Sequence, residues 1–126
     1  MIIESNHSVS ETLDRLTTIL DGKGIGVIAR VNHAAAAEKV GLALRPTELL
    51  LFGNPKLGTP LMQENQQAGF DLPMKALAWS DAEGKTWLRV TNPASIKAEH
   101  SIANLDATLD KMTAALGAMA AAATAR

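Results

Sequence analysis

The sequence predicts a two-layer α+β domain, with helices packed on a mixed or mainly antiparallel sheet in the order β-α-β-α-β-α-β-β-α. Three observations carry that reading. Short β-branched or apolar runs alternate with segments of helical periodicity, the pattern of a sheet covered by helices. The stretch "MKALAWSDAEGKTWLRVTN" reads as two strands around a turn containing Asp81 and Gly84, a hairpin signal. The final segment carries Ile102, Leu105, Leu109, Met112, Leu116 and Met119 at alternating steps of three and four, a helix with one apolar stripe.

In chain order, "IIES" is a short edge strand. Ser8 and Glu11 form an S-x-x-E capping box for a helix whose apolar face is Val9, Leu13, Leu16 and Leu20, with Gly22 and Gly24 as its stop. Ile25 to Asn32 is rich in β-branched residues and reads as a strand, and "HAAAAEKVG" as a short helix ended by Gly41. Arg45 and Pro46 introduce the strand "TELLLFGN". Asn54 is a good N-cap and Pro55 suits the first helical position, so a third helix starts there and ends in "QAGFDLP". Asn92 and Pro93 repeat that arrangement after the hairpin, and the long helix closes the chain. Residues 1–126 read as a single domain, with the alanine-rich residues 118–126 expected to fray.

A domain of 126 residues buries roughly 65 to 70% of its unfolded surface, enough for a core without staples. Twelve basic residues stand against thirteen acidic ones, so no strong field draws nucleic acid or an anionic membrane, and neither is expected as a partner. The absence of cysteine excludes disulfides, thiolate metal sites and thiol catalysis. The amino terminus lacks the basic and apolar regions of a secretory signal, and no apolar stretch approaches the roughly 18 residues of a bilayer span, which leads to the expectation of a cytoplasmic protein.

"FGNPKLGTPL", residues 52 to 61, is the most suggestive stretch for chemistry. Gly53 and Gly58 have the spacing of a phosphate-binding P-loop, but Thr59 and Pro60 stand where it needs Lys and Ser or Thr. Two readings remain: a helix cap only, or a cap whose N–H groups, with Lys56, hold a carboxylate or phosphate. The candidate ligand-binding residues are Gly53, Asn54, Lys56 and Thr59. "GKGIG", residues 22 to 26, precedes a strand and so is a helix stop rather than a dinucleotide loop. His7, His33 and His100 lie far apart and read as surface or capping residues; no metal and no cofactor is expected. Trp79 and Trp87 flank the hairpin turn and read as core or interface packing.

The segments "LRPTELLLFGNPK", "DLPMKALAW" and "TNP", in that order, resemble the domain of unknown function 302 family over about residues 8 to 100. Asn54, Pro55 and Lys56 match its Asn-Pro-Lys signature and Pro73 its Leu-Pro element. Many members have a cysteine after that proline, where this chain has Met74. The resemblance implies a compact α+β domain that often forms homodimers, with no established activity to carry over.

The functional expectation is a homodimeric, non-catalytic binding protein for a small anionic or amphipathic ligand, with the stripe of the last helix and the two tryptophans as interface material. The alternatives are an enzyme whose site gathers Asn54, Lys56, His33 or His100 in one pocket, and a protein–protein interaction module.

Overall fold

The computed structural model describes residues 1–126. Its elements are β1 (Ile2–Ser5), α1 (Val9–Gly22), β2 (Gly26–Asn32), α2 (His33–Lys39), β3 (Thr47–Gly53), α3 (Pro55–Glu64), a 3-10 turn (Gln66–Phe70), β4 (Met74–Ser80), β5 (Thr86–Val90), α4 (Pro93–His100) and α5 (Asp106–Thr124). The strands form one sheet in the order β1-β5-β4-β3-β2, and every neighbouring pair is antiparallel. The predicted class holds, with antiparallel rather than mixed pairing. The predicted element order lacked the 3-10 turn and joined α4 with α5.

The period-two alternation of strand side chains divides the sheet into two unlike faces. Leu50 and Phe52 of β3, Met74, Ala76 and Ala78 of β4, and Leu88 and Val90 of β5 are buried under α1 and α5. Leu13, Leu16 and Leu20 of α1 and Leu109, Met112, Leu116 and Met119 of α5 complete that core. Each fully buried Leu or Phe adds roughly 1.5–3 kcal/mol over an exposed one. On the other face, Leu49, Leu51, Lys75, Leu77, Trp79, Trp87 and Arg89 remain partly or fully exposed. The stripe on α5 is therefore consumed inside the chain and does not supply an interface, a correction to the expectation from sequence.

The local signals act as predicted at most element ends. The Glu11 N–H donates to Ser8 Oγ at 3.1 Å, and Asn54 and Asn92 cap their helices through Oδ1 to the N–H of Lys56 and Ala94. Gly24, Gly41 and Gly84 adopt positive φ at the turns that need it. α5 runs to Thr124, with Met119, Ala120, Ala123 and Thr124 buried. Its last carbonyls, orphaned as at any helix end, are satisfied by residues over one hundred positions away. Arg15 donates to the carbonyls of Ala123, Ala122 and Ala125 at 3.0, 2.9 and 3.1 Å, and Asn6 Nδ2 to that of Thr124 at 3.1 Å.

Candidate functional site

The chain leaves β3 at Gly53 and enters α3 at Pro55, and this corner lines an apolar cavity of about 430 Å3. A Cβ at Gly53 would stand 3.4 Å from that of Pro73, at the near limit of ordinary van der Waals contact. Gly53, Asn54 and Thr59 line the cavity, so three of the four predicted site residues come together. Lys56 lines neither this cavity nor the groove on the opposite face.

The cavity wall is built mostly from side chains whose apolar character the core already dictates. Phe52, Met74, Met112, Leu116 and Met119 reach it from β3, β4 and α5, and Met62 from α3. Four of the chain's five methionines, Met62, Met74, Met112 and Met119, thus converge on one space. Methionine is unbranched and polarizable and adapts to irregular apolar shapes. Sequence reading treated Met112 and Met119 as core stripe and Met74 as a departure from the family; nothing in their spacing showed that they share a wall with Asn54.

The first amides of α3 are already engaged. Pro55 has no N–H, the Lys56 N–H donates to Asn54 Oδ1 at 3.0 Å, and those of Leu57 and Gly58 donate to the Asn54 carbonyl at 2.9 and 3.1 Å. The corner lines an apolar cavity, and the N–H groups at the start of its helix are satisfied by Asn54.

The histidines lie apart. His33 opens α2 on the surface, and His7 Nε2 bonds the Ala125 carbonyl at 2.6 Å. His100, expected at the surface, is buried at 7% exposure, with Nε2 2.5 Å from Asp71 Oδ2. That pair lines a separate groove of about 1020 Å3 on the other side of the sheet. Asn54, Lys56, His33 and His100 have no common point, and no three His, Asp or Glu side chains cluster in a way that would hold a metal. Trp79 and Trp87 stand opposite each other on the open face and are half-buried, so they are not core residues. The indole N–H of Trp87 donates to Asp81 Oδ2 at 2.9 Å. This bond, followed by the Lys85 N–H, holds the Asp81 carboxyl below its usual range.

Residues 1–119 match the family described as domain of unknown function DUF302. The chain belongs to that family. The fold is similar to the crystal structure of an uncharacterized conserved DUF302 protein from Bacillus stearothermophilus, with a TM-score of 0.86, 21% identity, and coverage of 98% of this chain and 96% of that one. Among curated proteins, it is similar to the fluoride-specific ion channel FluC 1 of Brucella suis biovar 1, 49% identical over 100 residues, which is 79% of this chain and 39% of that protein. FluC 2 of Brucella melitensis biotype 1 shows the same identity over 37% of its length. The chain spans less than two fifths of these relatives. No helix of this DUF302 domain is long and apolar enough to cross a membrane.

Proposed function

We propose that this DUF302 domain is a homodimeric, non-catalytic binding protein that takes an amphipathic small molecule into the methionine-lined cavity at the start of α3. The convergence of four methionines on a cavity that Asn54 and Thr59 also line carries this reading. The volume lies within the ~300–1,000 Å3 of small-molecule sites, and a largely apolar wall with a few polar groups is their usual composition. An apolar tail occupies the cavity, and its polar end meets Asn54 and Thr59, with Lys56 on the exposed surface beyond.

The dimer reading rests on β2. All seven residues of this edge strand are exposed. Six of the ten large exposed hydrophobics, Val27, Ile28, Val31, Val40, Leu42 and Leu44, fall within residues 27–44. An exposed apolar edge with unpaired backbone groups invites pairing, and a second copy satisfies it by two-fold symmetry. Ile25 and Ile28 also line the cavity, so the partner would stand near it.

Native mass spectrometry of gently purified protein tests both parts. The expected species is a dimer with a discrete added mass, converted to monomer by Val31→Lys. Titration with decanoate should raise the melting temperature, and Ala115→Trp, a bulky change at an exposed position of the cavity wall, should abolish that rise while the protein stays folded. Decanoate with no effect at any concentration would count against the cavity reading. A monomer would remove the dimer.

The second reading is a protein-interaction module. It is favoured by the uncovered face bearing Trp79 and Trp87, and by relatives in which the similar region makes up only part of proteins named as fluoride-specific channels. Protection of these tryptophans from oxidative labelling on adding a partner, with the cavity unaffected, would support it.

A further inference from the structure

The groove around His100 is a second, chemically different space. Its floor comes from outward residues of neighbouring strands, Leu49 of β3, Lys75 and Leu77 of β4, and Arg89 of β5. Arg89 stands directly opposite Leu77, and Lys75 lies two residues before Leu77, so the two cations are diagonal neighbours on one face. Such positions are ~7–8 Å apart, within reach of long side chains converging on one ligand. Ion pairs of this structure engage Arg30, Lys97, His7 and His100. Neither Lys75 nor Arg89 takes part in one, although the Glu99 carboxylate belongs to the same groove. The amino group of Met1 is also nearby and is turned to the Val90 carbonyl at 3.3 Å.

The wall holds the pair of buried His100 and partly exposed Asp71. Nε2 faces Asp71 Oδ2, so Nε2–H is the ring donor to that oxygen and Nδ1 is the ring nitrogen that remains. Nδ1 has no protein partner, and no fully buried side-chain nitrogen or oxygen lacks one, so Nδ1 keeps access to solvent. Asp71 is hydrogen-bonded in this pair, which leaves Glu99, on the exposed side of α4, as the one groove carboxylate without a partner.

We propose that this groove binds a small organic dianion bearing a hydroxyl or N–H group. Lys75 and Arg89 neutralise the two negative charges, and His100 Nδ1 accepts the hydrogen bond from the uncharged donor. Dicarboxylates and phosphate monoesters share that chemistry, and Leu49 and Leu77 supply an apolar floor that favours an organic body over a bare inorganic ion. Asp71 acts as a positioning residue that fixes the imidazole tautomer.

Two-dimensional NMR titration with malate, succinate and glycerol phosphate tests this. Malate is expected to bind more tightly than succinate, which lacks the hydroxyl, and to shift the amides of Lys75, Leu77, Arg89 and His100. Glycerol phosphate binding alone would identify the dianion as a phosphate ester and support the proposal. Arg89→Ala and Lys75→Ala should each weaken binding by about tenfold, as expected when one charge-assisted bond is removed. His100→Gln, which retains a donor for Asp71, should narrow the gap between malate and succinate. No binding by any of the three probes, affinity retained in the Lys75→Ala/Arg89→Ala double variant, or shifts confined to other residues would each overturn it.

Discussion

The two faces of the sheet are built from the same strands by the same alternation, yet they hold opposite chemistries. Under α1 and α5 the residues of β3 and β4 close a core and leave a cavity walled by methionine and leucine. On the uncovered face, the intervening residues of the same strands carry lysine beside leucine and tryptophan, and the groove there holds a histidine–aspartate pair. The difference teaches that one-sided helix packing separates two kinds of recognition by the thickness of a single sheet. Apolar fit is available where water is excluded, and charge where it is not.

The largest expected effect comes from breaking the covered face. Leu88 is fully buried, and Leu88→Ala should lower unfolding free energy by about 2–5 kcal/mol, the range for a truncated core leucine. Leu77→Ala, on the half-exposed face of the adjacent strand, should cost about 1 kcal/mol or less. Urea denaturation of the two variants measures the contrast, and equal losses would mean that the open face is covered in solution.

A smaller effect should follow from releasing the end of α5. Arg15→Ala removes three hydrogen bonds from a charged donor to the carbonyls of Ala122, Ala123 and Ala125. The expected cost is about 1–2 kcal/mol, with faster amide exchange confined to the last turn of the helix. Unchanged exchange would show that burial of Ala120 and Ala123 alone holds that end.

These effects separate what was legible in the sequence from what was not. Capping residues, turn glycines and apolar spacing are local signals, and Ser8, Asn54, Asn92, Gly24 and Gly84 each act as read. The order of the helix end at residues 118–124 was illegible because Arg15 and Asn6 hold it from across the fold, and alanine carries no pattern. The corner at Asn54 was legible as a place, since Gly53, Asn54 and Thr59 do meet a cavity. Its apolar lining was not, because Met62, Met74, Met112 and Met119 come from three elements whose convergence only the tertiary packing sets. The partnership of His100 with Asp71 spans 29 positions and has no motif of its own.

A clamp at the sheet edge allows the comparison to be sharpened along β2. Arg30 projects to the helix side, where its guanidinium meets Asp14 of α1 at 2.5 Å and Glu48 of β3 at 3.0 Å. Desolvation alone would lower its pKa, but the bonds to Asp14 and Glu48 outweigh that and hold it above the ordinary value. Arg30→Ala should cost about 1 kcal/mol, as for a partly exposed ion-pair network, and loosen α1 from the edge. A dimer that survives this change but not Val31→Lys would assign pairing to the apolar strand edge rather than to the clamp.

The smallest and most specific effect concerns the hairpin on the open face. Asp81 accepts from the Trp87 indole and from the backbone N–H groups of Lys85 and Glu83, and its folded pKa lies below the ordinary 3.8. A depressed carboxyl stabilises the fold fully above its unfolded value and loses that contribution as pH falls through the lower folded value. Asp81→Asn removes the charge and one of the two acceptor oxygens, since Oδ2 serves the indole and Oδ1 the N–H groups of Glu83 and Lys85. The stability difference between wild type and variant should therefore be constant at neutral pH and shrink below about 3.8. Fluorescence of Trp87 in a Trp79→Phe background, followed through the acid range, should report the same transition locally. A stability gap of the same size at acid and neutral pH would show that Asp81 acts through the acceptor geometry of the turn and that its charge contributes nothing.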